Sequence, residues 1–223
     1  RYWRDWSSDV CSSDLLLDSY HDERHQAAVE NVRVTNRTAR FLRPADGIER
    51  VFRNATISLA RQHPFARSLV NTGRMAVANT YTQSAVCDTS GGRSVQNVAL
   101  RFADGSAGCV NDLLRWSGSR MLLLVFGDLS AANAARLRAL STSAPLLAVQ
   151  VTARDGQATA REHVRDPEGH LKGACHIQGA EGAGGMLWAL VRPDAYVAAT
   201  GAAVDARLIR QLSRAMATPL ETA

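Results

Sequence analysis

Four cysteines, six histidines and scattered carboxylates are the groups in this chain able to act as nucleophiles, bases or metal ligands. The cysteines are Cys11, Cys87, Cys109 and Cys175. No two of them have the C-x-x-C spacing that a dithiol exchange site or a zinc knuckle uses. The densest cluster holds His163, Asp166, Glu168, His170, Cys175 and His176. Its residue types suit a transition metal, but its spacing fits no zinc pattern. A loop running into a short helix explains it better. His21 and His25 stand one helical turn apart, a spacing that binds metal only with a third ligand; a solvated helix face is expected instead. No G-x-S-x-G elbow occurs, and no Ser–His–Asp set can be ordered. Trp116, Trp188 and Tyr196 could stack on a ligand, though such residues more often pack in a core or an interface. The sequence therefore assigns no catalytic, cofactor-binding or metal-ligating residue.

Those side chains have to be positioned by elements, and one stretch organises the rest. Met121-Leu122-Leu123-Leu124-Val125-Phe126 is six apolar residues followed by Gly127-Asp128 and then a helical pattern. That is the length and bounding of a buried strand. A helix over 131–140 and a second strand over 146–151, after Pro145, should follow it. Asp166-Pro167-Glu168-Gly169 reads as a turn, and a short helix is expected near 171–176. Strands over 186–191 and 195–199 are joined by Arg192-Pro193-Asp194, a hairpin turn. An amphipathic helix over 204–216 closes the chain, with Leu208, Ile209, Leu212 and Met216 inward. A short strand at 98–102, a turn at 103–106 and a helical turn at 111–116 precede all of this. The order β-α-β-α-β-β-α predicts an α/β domain of thioredoxin-like fold: a parallel pair with a helical crossover, then an antiparallel hairpin on the same sheet.

The first part of the chain reads differently. From Leu16 onward, Leu17, Tyr20, Ala27, Ala28, Val32 and Thr35 recur at helical steps, ending at Pro44 and Gly47. A second helix should start near Asp46 as N-cap and face inward with Ile48, Val51, Phe52, Ala55 and Leu59, stopping before Pro64. A shorter helical piece follows Phe65. Residues 79–95 are polar and Gly-rich and read as a linker at a domain boundary. The expected division is 1–15, 16–85 and 86–223.

Composition excludes several classes. The hydrophobic content of 46% and charged content of 21% fit a globular protein, and no apolar run approaches the roughly 18 residues that span a bilayer. No membrane partner is expected, and a cytoplasmic location is the default. The net charge of +5 comes almost wholly from arginine, Lys172 being the one lysine. Those arginines are dispersed rather than gathered in a stripe with aromatics, so no nucleic-acid partner is expected.

Two segments carry a family resemblance. Leu16, Leu17, Tyr20, Glu23 and Arg24 match the Leu-Leu-x-x-Tyr-x-x-Glu-Arg pattern that follows the flavin-binding Gly-Asp motif in class A FAD-dependent aromatic hydroxylases. LVRPDAYVAAT, residues 190–200, resembles the Val-Arg-Pro-Asp-x-Tyr/Phe-Val-Ala stretch near the end of their longer members. The branch most resembled is that of 3-(3-hydroxyphenyl)propionate hydroxylase and phenol hydroxylase, which carries a C-terminal thioredoxin-like domain without redox cysteines. The resemblance runs from Leu16 to about Met216. It implies a parent monooxygenase that uses FAD and NAD(P)H to hydroxylate a phenolic compound.

The departures limit what this chain can do within such a protein. The family's G-x-G-x-x-G fingerprint is absent; Gly-Ala-Glu-Gly-Ala-Gly-Gly at 179–185 has the wrong spacing and precedes a strand. The family's Asp-Gly and Gly-Asp flavin motifs would lie upstream of Leu16. Residues 1–15, with Ser-Ser-Asp repeated, resemble a translated sequencing adapter and are expected to stand outside the fold. The expectation is thus a C-terminal fragment with a structural or dimerising role, whose partner is a missing N-terminal FAD-binding domain and which binds no cofactor by itself. The alternative is a stand-alone, non-redox thioredoxin-like interaction module. The first helix separates the two: its apolar face should be exposed in a fragment and buried in a stand-alone protein.

Overall fold

The computed structural model describes residues 2–70, 78–153, 162–177 and 186–217, with side chains from Asp14 onward apart from 15, 69 and 70. Its contacts divide the chain into two compact units, residues 21–79 and the remainder. The helical part comprises α1 (Tyr2–Leu42), α2 (Ile48–Ala60) and α3 (Pro64–Val70). The expected start of the first helix at Leu16 is not where the structure begins it. Residues 2–15 contain neither Gly nor Pro, so nothing interrupts the backbone ladder. The N-cap of α2 is Gly47, at φ 88°, rather than Asp46. Asp46 instead pairs with Arg50 at 2.9 Å. No described helix is long and apolar enough to cross a membrane.

The sheet domain follows as β1 (Ala99–Phe102), β2 (Ala107–Cys109), α4 (Val110–Ser117), β3 (Met121–Phe126), α5 (Ala131–Ser143), β4 (Leu146–Thr152), β5 (His163–Arg165), α6 (Leu171–Ala174), β6 (Leu187–Val191), β7 (Val197–Gly201) and α7 (Ala206–Met216). The strands form one sheet in the order β2-β1-β5-β4-β3-β6-β7. β3 and β4 are parallel, as their helical connection through α5 requires, whereas β6 is antiparallel to both β3 and β7. The central four strands, β4-β3-β6-β7, have the order and directions of a thioredoxin fold. β3 lies in the middle and every one of its six residues is buried.

Alternation along β3 divides the core. Leu123 and Val125 face one layer with Leu137 of α5 and Leu208 and Leu212 of α7. Leu122, Leu124 and Phe126 face the other, with Leu113 of α4 and Leu171 of α6. Each flanking helix is pinned at its start. Ser130 Oγ accepts from Asn133 N–H at 3.2 Å ahead of α5. The Asp205 carboxylate accepts from Arg207 N–H (2.9 Å) and Leu208 N–H (3.3 Å) ahead of α7.

The polar stretch expected as a linker is instead a strap along the outer edge of β7. Gly92 N–H donates to Val197 O at 2.7 Å, Val197 N–H to Arg93 O at 2.9 Å and Asp88 N–H to Ala198 O at 2.7 Å. Thr200 N–H donates to Ser90 Oγ at 3.0 Å. Glycine is required here. A Cβ on Gly91 would lie 2.3 Å from Ala198 O, and one on Gly92, at φ 80°, would lie 2.0 Å from Tyr81 O. Gly-rich polar sequence marked a close backbone approach, not freedom.

Candidate functional site

In a thioredoxin fold the reactive position lies after the first central strand, at the start of the following helix. Here that position is Gly127-Asp128-Leu129-Ser130, between β3 and α5. Gly127 turns the chain at φ 88°. Its carbonyl accepts from the Nε2 of buried Gln150 at 3.3 Å. A nucleophilic thiolate would draw on the free N–H groups of the helix start; here the Ser130 hydroxyl takes one of them, the N–H of Asn133. The three described cysteines lie elsewhere and are unpaired. Cys87 belongs to the strap, Cys109 precedes α4 and Cys175 follows α6.

Each thiol is held by its surroundings rather than presented. Cys175 is fully buried; desolvation, reinforced by the nearby Asp166 charge, pushes it up to about 12. Cys109 donates its S–H to Asp112 Oδ2 at 3.1 Å, and its own N–H donates to the same oxygen at 3.0 Å. These two bonds, with Arg115 at 2.8 Å, hold the Asp112 carboxyl below its usual range. Cys87 Sγ accepts from Arg192 Nη1 at 3.6 Å.

The candidate metal cluster is not assembled. Asp166 is committed to the start of α6, accepting from His170 N–H (3.2 Å) and Leu171 N–H (2.8 Å). The His170 ring turns to Glu168 at 3.1 Å, while His176 Nε2 meets Ser94 O at 2.9 Å on the strap. Among the described residues no three His, Cys, Asp or Glu side chains are placed to hold one ion. His21 and His25 stack on each other with ring centroids 6.0 Å apart.

The aromatic candidates divide. Trp188 is core, its indole N–H bonded to Ala203 O at 2.8 Å. Tyr196 stacks on Tyr81 of the strap at 4.6 Å. Trp116 meets Phe102 edge-on at 6.4 Å. The Arg-Pro-Asp turn between β6 and β7 is closed by Arg192 itself. Its guanidinium grips Asp194 through two bonds of 2.7 and 3.1 Å. The motif that carried the resemblance therefore ties the β6–β7 turn and the strap together.

No described segment fits a flavin. A dinucleotide needs a strand that leads through closely spaced glycines into an uncapped helix start. The β3–α5 turn offers a single glycine, and its helix start is capped at the Asn133 N–H by Ser130. Residues 179–185 lie outside the described residues.

The helical part presents the other notable surface. Leu16, Leu17, Tyr20, Val29 and Val32 of α1 are exposed, while Ser19, Glu23 and Ala27 are buried. On α2, Ile48 is 85% exposed, Val51 68% and Phe52 60%, with Thr56 the buried residue. The stripe expected to face inward on α2 faces out. Periodicity identifies an apolar face but not what covers it. An apolar helix face left outward in this way is of the kind that other protein covers.

Comparison with known proteins gives likeness of fold. No family model and no curated protein matches the sequence. Among solved structures, the chain is similar to the rebeccamycin biosynthetic enzyme RebC with reduced flavin, at 22% identity and a TM-score of 0.54, over 92% of this chain and 36% of RebC. RebC-10x with bound 7-carboxy-K252c gives 21% identity, a TM-score of 0.54, and 90% of this chain against 36% of that one. Peroxidoxin BcpB from Mycobacterium tuberculosis matches at 14% identity and a TM-score of 0.43, over 57% of this chain and 97% of its own. The chain thus spans little more than a third of RebC.

Proposed function

We propose that this chain is the C-terminal part of a FAD-dependent, NAD(P)H-using monooxygenase that hydroxylates a phenolic aromatic compound. Within that protein its work is structural. An N-terminal FAD-binding portion holds the flavin and the substrate and covers the outward apolar faces of α1 and α2. The thioredoxin-like domain is a redox-silent support, and it supplies a homodimer contact if the enzyme is dimeric. The unpaired thiols suit a reducing, cytoplasmic setting.

The observation that carries the reading is the exposure of large apolar side chains on each helix, Leu17 and Val32 on α1 and Ile48, Val51 and Phe52 on α2. A stand-alone module would bury them. The likeness to RebC supports the reading, because a match over 92% of the chain must take in the helices as well as the sheet domain. RebC is described with reduced flavin, and it is the part of RebC beyond this likeness that would correspond to the flavin-holding portion here.

The test is to amplify source DNA across the codon for Leu16 and sequence upstream independently. A frame that continues into a Gly-Asp motif and, further up, a strand followed by G-x-G-x-x-G supports the proposal. The recovered full-length protein should then purify yellow and oxidise NAD(P)H faster when a phenol is added. A start codon with a ribosome site immediately before Leu16 overturns it.

A further inference from the structure

The β2-β1-β5 end of the sheet has one face that no described helix covers. α5 and α7 pack over β3, β4 and β6, and the core on that side stops at Ala148 of β4. Beyond it, the same face presents Ala99 and Arg101 of β1, Ala107 of β2 and Arg165 of β5, all exposed. These residues, with Leu100, Gly108, Pro167 and Glu168, line a groove of about 580 Å³.

Two features of the groove need explanation. First, Arg101 and Arg165 are directly opposed in the antiparallel β1–β5 register. Side chains so placed share a face, with Cβ atoms about 5 Å apart, and like charges there are destabilising. Second, neither cation has an ion-pair partner among the described residues. The Arg101 side chain makes one long bond, from Nη1 to Gly105 O at 3.4 Å, and the Arg165 side chain makes no hydrogen bond or ion pair among the described residues. The carboxylate that shares the groove, Glu168, is turned to His170 at 3.1 Å. Small residues at Ala99 and Ala107 leave the floor open between the arginines.

We propose that this groove binds a small phosphate-bearing molecule, its phosphate bridging the Arg101 and Arg165 guanidiniums. Two arginines on one ligand group favour a dianion over a monocarboxylate, and the planar guanidinium matches phosphate oxygens in pairs. The groove has room for more than the phosphate itself. The site is independent of the proposed flavin chemistry and uses none of the residues on α1 or α2.

The test is titration of the whole chain with inorganic phosphate, followed by 31P line broadening and calorimetry, with acetate as the competing oxyanion. Arg101→Gln and Arg165→Gln should each weaken phosphate binding at least about tenfold, the scale of one lost charge-assisted bond pair. Arg210→Gln, an exposed arginine on α7 with the same charge change, should leave it within twofold. Without phosphate, Arg165→Gln should melt no lower than the parent, because a like-charge pair has been removed; with phosphate, the parent and Arg210→Gln should gain more than Arg165→Gln. Equal loss in Arg210→Gln, binding unchanged in Arg165→Gln, or acetate binding as well as phosphate would each overturn the proposal.

Discussion

Cys175 offers a sharp test of the structure, because its burial makes a chemical and a thermodynamic claim together. Its thiol pKa is raised from 9.0 to about 12 by desolvation and then by Asp166. At neutral pH the native protein therefore carries about a thousandfold less thiolate at this position than an exposed cysteine would. Only the thiolate alkylates, so iodoacetamide at pH 8 should modify half-buried Cys109 long before Cys175, read by peptide mass mapping. The linkage has a definite sign. The folded pKa lies above the unfolded one, so the stabilisation is complete below pH 9 and is lost as pH rises toward 12. The full loss is about 4 kcal/mol, of which about 2 kcal/mol falls by pH 10.5. Urea melts at pH 8 and 10.5 on the parent and on Cys175→Ala isolate it, because other alkaline titrations cancel in the difference. The parent should lose about 2 kcal/mol more than the variant over that interval. Equal losses in the two proteins, or native labelling of Cys175 within tenfold of a free cysteine peptide, would refute the reasoning.

Three further outcomes are expected. Gly91→Ala drives a Cβ into Ala198 O and should cost at least about 2 kcal/mol while making the backbone near residues 80–95 the first site of proteolysis. Asp166→Ala removes the acceptor for two backbone N–H groups, one buried and one part-buried, and should cost about 1–3 kcal/mol in a urea melt, whereas Asp166→Asn should recover part of that. Ile48→Glu with Phe52→Glu should change stability by no more than about 0.5 kcal/mol, because both side chains are already solvated, yet reduce self-association by sedimentation velocity.

What the sequence revealed follows from where the information is local. Met121–Phe126 was legible to the residue because six apolar residues bounded by a glycine turn allow little else. α5, β4, the β6–β7 hairpin and α7 were also close, each marked by Pro145, Arg192-Pro193-Asp194 or Asp205 at its edge. β5 was missed: His163-Val164-Arg165 is three residues with polar neighbours, and only its place between β1 and β4 makes it a strand. The strap was misread for the same reason, since its structure depends on β7 rather than on itself. On α2 the stripe of Ile48, Val51 and Phe52 was identified but its direction was not. The opposed arginines left no signal either, because Arg101 and Arg165 meet only through a register between strands distant in sequence.

The strap also decides what counts as the smallest piece of this protein able to fold. A chain trimmed to begin at Ala99 would keep all seven strands yet leave the outer hydrogen-bonding groups of Val197 and Ala198 bare. Such an edge recruits any passing strand, including another copy of itself. It would also lose the acceptors for Arg214 Nε and Arg207, which reach from α7 to Ala85 O and Asp88. Anyone transplanting this domain should therefore cut ahead of Thr80, because the residues that look most like a disposable tether are the ones that keep the sheet from growing.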